Sequence, residues 1–432
     1  MSDEIKISSS RRYLVVLGAL IIQVCLGSIY AWSIFQAALR EGVYVWPSLI
    51  TQLPFAAGLA SFAAFMIIAG YYQDRIGPRR VATLGGILLA TGYLLAGLVD
   101  FISQGNPIIG TVWLIITYGI IAGAGIGFAY VCPIAALVKW FPDKKGLITG
   151  VAVAGFGAGA LVMGYVETWL LNLPMIFPLV GGAFIILGIL YFALVVSGSQ
   201  LLTNPPLGWI PPGYASTPGK INAKGKDYVP REMIVNVVFW LLWFMFLFAA
   251  TAGLMTLGNV KSAAAAIDPL TSSLPIWGVI ASIIVGVMSI FNAIGRIVWG
   301  ALSDRIGRVT TMVIMFTLLT IGMFAFAFLS TTYASWIIVM TVASLVGFCF
   351  GGNFALFPSS TADYYGTKNV GSNYGVLFTA YGVAGIIGAL AAGFIVDFTG
   401  SYILAFTITG VLAIVAIIFT IFLYRIRRPS QK

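Results

Sequence analysis

The sequence predicts an all-α membrane protein with twelve transmembrane helices arranged as two pseudo-symmetric halves of six. Three observations carry this prediction. Hydrophobic residues make up 60% of the chain and charged residues only 8%, where a soluble domain would hold about a quarter charged; mean hydropathy is +1.02. Apolar runs of about 20 residues, the length that crosses a bilayer, recur along the chain. Short motifs in the first half return in the second at a nearly constant offset.

The runs fall at 13 to 38, 49 to 72, 81 to 102, 108 to 138, 146 to 169, 174 to 196, 234 to 258, 275 to 303, 309 to 329, 333 to 358, 372 to 396 and 402 to 424. The first follows Arg11 and Arg12, as a signal peptide would. It is about 25 residues long and ends in aromatic residues without an A-x-A site, so it reads as a retained helix. Short loops join the spans within each half, whereas 197–233 is polar and rich in Pro, Gly and Lys. The expected organisation is therefore a half at 1–196, a cytoplasmic linker at 197–233 and a half at 234–432.

With the N-terminus inside, 20 of the 23 Lys and Arg residues lie in inner segments; Arg40 and Lys261 fall outside and Arg296 lies within a span. The positive-inside rule then puts both termini in the cytoplasm of a cell-membrane protein. Topology accounts for the net charge of +10, and the scattered charges form no basic face for nucleic acid. Cys25, Cys132 and Cys349 sit within spans at no ligand spacing and the chain has no histidine. No disulfide scaffold, Cys/His metal site or cofactor is indicated. Glu167 is expected near the outer end of its span, the other carboxylates in loops or at boundaries, so an enzyme lacks its constellation. A partner-binding membrane protein would have 197–233 as its docking segment.

The repeats locate the functional parts. GYYQDRIGPRR (70–80) follows the second span and GALSDRIGR (300–308) the eighth, 230 residues later. Pro133 and Pro358, Gly146 and Gly371, Gly150 and Gly375, and Gly157 and Gly382 correspond at an offset of 225. Two parallel six-helix repeats explain both series. In the loop motif, Asp74 and Asp304 suit capping or pairing at a neighbouring helix end, while Arg75 and Arg305 hold the loop inside. The expected role is a conformational latch; a topology signal alone is the competing reading. Glycines concentrate in spans five (Gly150, Gly155, Gly157, Gly159, Gly164) and eleven (Gly375, Gly382, Gly385, Gly388, Gly393), which permits tight packing and sliding of helices.

Arg296 interrupts the otherwise uncharged stretch VGVMSIFNAIGRIVWGALS (285–303). A cation there costs at least about 2.5 kcal/mol on insertion scales and normally faces a wet or protein-lined cavity. Asn292 lies one helical turn earlier, on the same face. The competing reading is structural: Arg296 snorkels to the interface or pairs with a helix carbonyl.

The stretch WFPDKKGLITGVAVAG (140–155) resembles the signature entering span five of monocarboxylate transporters. With GSIYAW (27–32) and GGNFALFP (351–358), it is more similar still to the bacterial and archaeal oxalate/formate antiporter family of the major facilitator superfamily. The resemblance spans roughly residues 13 to 425 and implies that fold, with a monomer sufficient for function. It implies a central anion site anchored by Arg296, which binds a carboxylate bidentately. Tyr30, Tyr130, Phe156 and Phe354 match its cavity-lining aromatic positions; Trp32 and Phe350 suit core or gate packing. Where the oxalate carrier has a second cation, after Asn373-Tyr374-Gly375, this chain has Tyr381. One cation suits one carboxylate, so the expected substrate is a monoanion such as lactate, pyruvate, formate, acetate or glycolate. Animal relatives place a proton-accepting aspartate at the position of Asn292, which does not titrate. The expected activity is alternating-access transport of a small monocarboxylate with a proton; exchange of a dicarboxylate for a monocarboxylate is the alternative.

Overall fold

The computed structural model describes residues 2–40, 43–173, 179–206, 209 and 227–427. Among these residues there is helix and no strand. In chain order the helices are α1 (Ser2–Leu26), a 3₁₀ segment (Gly27–Ala31), α2 (Trp32–Arg40), α3 (Ser48–Ile76), α4 (Pro78–Ala96), α5 (Val99–Ser103) and α6 (Pro107–Leu114). A π segment (Ile115–Ala122) leads into α7 (Gly123–Trp140), then α8 (Lys145–Leu171) and α9 (Gly181–Leu201). The second half holds α10 (Pro230–Ile234), α11 (Val237–Ile267), α12 (Pro269–Ser272), α13 (Trp277–Ile306) and α14 (Arg308–Leu329). It closes with α15 (Trp336–Tyr365), α16 (Val370–Leu377), α17 (Thr379–Thr399) and α18 (Ile403–Arg427).

Eleven segments among the described residues are long and apolar enough to cross a membrane. The twelfth expected span, 81 to 102, is present as α4 and α5 with a break at Gly97–Leu98. The break serves a clasp. Asp100 in α5 accepts hydrogen bonds from Tyr44 Oη and from the Gly181 amide at 2.8 Å, and the Val180 amide donates to Tyr44 Oη at 2.8 Å. Burial and the Asp100 contact hold the Tyr44 phenol above its ordinary pKa, so it stays a donor. Spans one and eleven are also interrupted, by the 3₁₀ segment at Gly27–Ala31 and at Phe378 between α16 and α17. Of the expected linker, 197–201 continues α9 and 230–233 belongs to α10; 207–208 and 210–226 lie outside the described residues.

The chain forms two compact units: 1–145 with 155–230 and 361–379, and 146–154 with 231–360 and 380–432. In the first unit α3, α4, α7 and α9 pack together with α16 against α3. In the second, α18 packs on α14 and α11, and α13 packs on the same two helices. The turn α3–α4 and the turn α13–α14 are copies. Gly77 and Gly307, 230 residues apart, have φ of 87° and 90°, a left-handed conformation that glycine adopts without steric cost.

Candidate functional site: a buried arginine and two carboxylate caps

In the second unit, α13 carries Met288, Asn292, Gly295, Arg296, Trp299 and Ser303 on its buried face, the three- and four-residue spacing of one helix stripe. Arg296 is fully buried at 0% exposure and Asn292 nearly so at 9%. Arg296 Nε donates to Asn292 Oδ1 at 3.1 Å and Nη1 donates to the Val153 carbonyl at 2.6 Å. Asn292 Nδ2 in turn donates to the Gly347 carbonyl at 3.2 Å, which fixes the amide's orientation. The guanidinium lies over the Phe354 ring, 4.4 Å from its centroid. Cation–π contact of this kind is worth up to about 2 kcal/mol when desolvated.

The helix-carbonyl pairing of the structural reading is thus present. Its oxygen and that of Asn292 are neutral dipoles, which orient the guanidinium. Phe354 packs edge-on against Tyr381 and Phe350, both at 5.3 Å between centroids, and Phe246 lies 6.3 Å from Tyr381. Arg296, Asn292, Phe354 and Tyr381 therefore form one cluster. Its chemistry is that of a rigidly aimed, desolvated cation with an aromatic wall.

Tyr30, Tyr130 and Phe156 belong to the first unit, where they form a second cluster with Phe62 and Phe378. Phe156 is 5.2 Å from both Tyr30 and Tyr130, and Tyr130 is 5.0 Å from Phe62 and 5.4 Å from Phe378. Under the 230-residue offset, Asn292 and Arg296 correspond to Phe62 and Met66. The charge belongs to one repeat only.

The loop motifs make equivalent contacts in each unit. Asp74 accepts from the Gly371 and Ser372 amides at 3.2 and 2.7 Å and from Ser372 Oγ at 2.7 Å, capping α16. Asp304 accepts from the Gly146 and Leu147 amides at 2.9 and 2.7 Å, at the first turn of α8. Both place a carboxylate at the positive end of a helix. Backbones meet beside each cap: a Cβ on Gly70 would overlap the Gly371 carbonyl, and one on Gly300 the Gly146 carbonyl. The basic partners are Lys139, 3.7 Å from Asp74, and Arg308, 2.7 Å from Asp304. Arg75 instead lies over the Tyr71 ring at 3.9 Å, and Arg305 is exposed. Sequence reasoning missed Lys139, Arg308 and Ser372; Arg308, inside the repeated motif and four residues after Asp304, was the one with a signal.

Asp304→Ala leaves two helix amides and the Arg308 guanidinium without this acceptor. Charged hydrogen bonds of this type contribute about 1.5–3 kcal/mol each, so the thermal unfolding midpoint in detergent is expected to drop by several degrees. An unchanged midpoint would show that the cap contributes nothing.

One expectation is corrected. Glu167, foreseen near a span's outer end with no buried role, lies in the last turns of α8 but is only 1% exposed. The helix turns it inward with Met163 and Leu170, while Tyr165 and Trp169 face outward.

Helices of membrane-crossing length, repeated caps and a buried cation define a multi-pass membrane transporter. The Major Facilitator Superfamily model matches residues 13–285 and 252–432, and the chain belongs to that superfamily. Among curated proteins it is 31% identical over 377 residues to the uncharacterized MFS-type transporter YhjX of Escherichia coli (strain K12), covering 87% of this chain and 86% of that one. It is 28% identical over 430 residues to the oxalate:formate antiporter of Oxalobacter formigenes (98% and 94% covered). It is 27% identical over 469 residues to apicoplast pyruvate carrier 1 of Toxoplasma gondii (87% and 83%). The fold matches the solved structure of the proton:xylose symporter XylE with a TM-score of 0.73, at 15% identity and 95% coverage of both chains. That likeness speaks to fold alone.

Proposed function

We propose that the protein carries a small monocarboxylate, of the lactate, pyruvate or formate kind, across the cell membrane by alternating access together with a proton. The carrying observation is the buried Arg296 guanidinium, aimed by Asn292 and backed by Phe354. An incoming carboxylate takes the guanidinium N–H now given to the Val153 carbonyl, exchanging a neutral acceptor for an anionic one; such charge-assisted bonds are about twice as strong. Neutralising the cation lowers the cost of enclosing it, which ties closure to occupancy. Tyr381, Tyr30, Tyr130 and Phe156 are proposed as substrate-facing side chains; the tyrosine hydroxyls suit a carboxylate or a 2-hydroxyl, and all four rings exclude water. The halves 1–196 and 234–432, joined by the linker 197–233, are proposed as the two moving bodies, with both termini cytoplasmic. Asp74 and Asp304, with Arg75 and Arg305 in the same motifs, are proposed as the latch between states. No catalytic step and no cofactor enters this reading, and a single chain suffices.

Relationship to the oxalate:formate antiporter favours a second reading, obligate exchange of a dicarboxylate for a monocarboxylate. The experiment is a thermal-shift screen of lactate, pyruvate, formate, acetate, glycolate and oxalate, followed by uptake into vesicles. A ligand at 100 times its Kd stabilises the folded state by about 2.7 kcal/mol. The expected result is stabilisation by a monocarboxylate and uptake into empty vesicles, faster with an acid exterior. Uptake only into anion-loaded vesicles would establish the exchange reading, and stabilisation by none of the six would refute the substrate class.

A further inference from the structure

Asn292 removes the expected proton acceptor from beside Arg296, yet the first unit holds a buried carboxyl. Glu167 is 1% exposed, its Oε2 has no hydrogen-bond donor, and no Lys or Arg pairs with it among the described residues. The titratable groups around it come from several elements. Tyr93 of α4, Tyr118 of the π segment and Tyr191 of α9 all interact electrostatically with Glu167, and Cys25 of α1 neighbours Tyr191. These groups are joined to one another. Tyr93 and Tyr191 lie 4.8 Å apart edge-on, Tyr93 and Tyr118 5.4 Å, and Tyr93 Oη is within 3.3 Å of Ser28 Oγ. Every one of them is neutral in its ordinary protonation state, so none can balance a carboxylate.

An unpaired carboxylate enclosed in protein within a membrane costs several kcal/mol. As the neutral acid, the same side chain carries no charge to be balanced, and its enclosure costs far less. We propose that Glu167 is a proton-binding site of the transport cycle, protonated while enclosed among Tyr93, Tyr118 and Tyr191 and deprotonated when that cluster opens to water. The carboxylate takes its proton from water on one side of the membrane and returns it to water on the other. With one monocarboxylate held at Arg296, the cycle moves no net charge. The coupling to substrate rests on the carrier reading; the proton site itself does not.

Infrared difference spectroscopy on the reconstituted protein, recorded over a pH series without any carboxylate, reads the site directly. The expected result is a carboxylic-acid C=O band that disappears on raising the pH, is missing from Glu167→Gln and is present but displaced in Glu167→Asp. Absence of such a band from the wild type, or its persistence in Glu167→Gln, overturns the proposal. Coupling is read in vesicles with radiolabelled L-lactate and a pH-sensitive dye inside. Glu167→Gln should lower pH-driven net uptake about tenfold more than it lowers lactate–lactate exchange, with Glu167→Asp recovering part of the difference. Equal losses in both modes would show that the proton site is not coupled. Should the wild type take up no lactate, the substrate reading fails while the infrared result still decides the proton site.

Discussion

Replacing Arg296 by alanine is expected to abolish carboxylate binding and uptake while leaving a folded, membrane-inserted protein. Arg296 is the guanidinium at 0% exposure that the α13 stripe turns inward, and its geometry is fixed from three sides by Asn292, Val153 and Phe354. Truncating one partner of a buried, hydrogen-bonded charge pair costs about 2–5 kcal/mol, a loss of roughly thirtyfold or more in affinity. Arg296→Lys keeps the charge but loses the planar fork, so it should bind weakly and discriminate poorly among carboxylates. Stability responds differently. Removing the cation also removes the cost of burying it, offset by stranding Asn292 Oδ1 and the Val153 carbonyl. The unfolding midpoint of Arg296→Ala should therefore move little compared with its affinity. Retained uptake at normal rates by a correctly inserted Arg296→Ala protein would refute the anchor role.

The second large effect is expected from Gly351→Ala and Gly150→Ala, which touch no substrate in this account. A Cβ on Gly351 would overlap the Asn292 carbonyl, and one on Gly150 the Arg296 carbonyl. The α13 backbone is thus gripped by α15 and the start of α8 at the two residues of the site. Backbone atoms cannot turn aside as a side-chain tip can. Overpacking of this kind costs about 1–3 kcal/mol, and it shifts the helix that aims the guanidinium. Each variant should lower the unfolding midpoint and weaken carboxylate binding together, whereas Gly286→Ala, on the same helix with open space around its Cα, should change neither. Equal behaviour of all three would mean that the close contacts do not position the site.

Much of this arrangement is legible in the chain. Apolar run length sets the helices, and the 230- and 225-residue offsets anticipate paired elements: Gly70 meets Gly371 as Gly300 meets Gly146, and Asp74 and Asp304 cap equivalent helices. The Arg296–Asn292 pair is readable because a four-residue spacing has one meaning on a helix. What escapes is whatever depends on contacts between distant helices. Lys139 and Ser372 join Asp74 only through packing of α7 and α16 on α3. Glu167 misleads for a related reason: position along a helix gives depth, whereas its 1% exposure depends on how other segments pack against α8, which position along the chain does not specify. The breaks at Gly97–Leu98 and Phe378 leave a run's hydrophobicity untouched and so are invisible to a search for apolar length.

The central claim is direct contact between Arg296 and a substrate carboxylate. Solid-state NMR measures it on the reconstituted protein with ¹⁵N-labelled arginine and whichever carboxylate stabilises most, ¹³C-labelled at its carboxyl carbon. A bidentate pair puts that carbon within about 4 Å of the guanidinium nitrogens. The account predicts strong ¹³C–¹⁵N dipolar dephasing that Arg296→Lys eliminates; a bound carboxylate with no dephasing, or with dephasing that survives in Arg296→Lys, would contradict it.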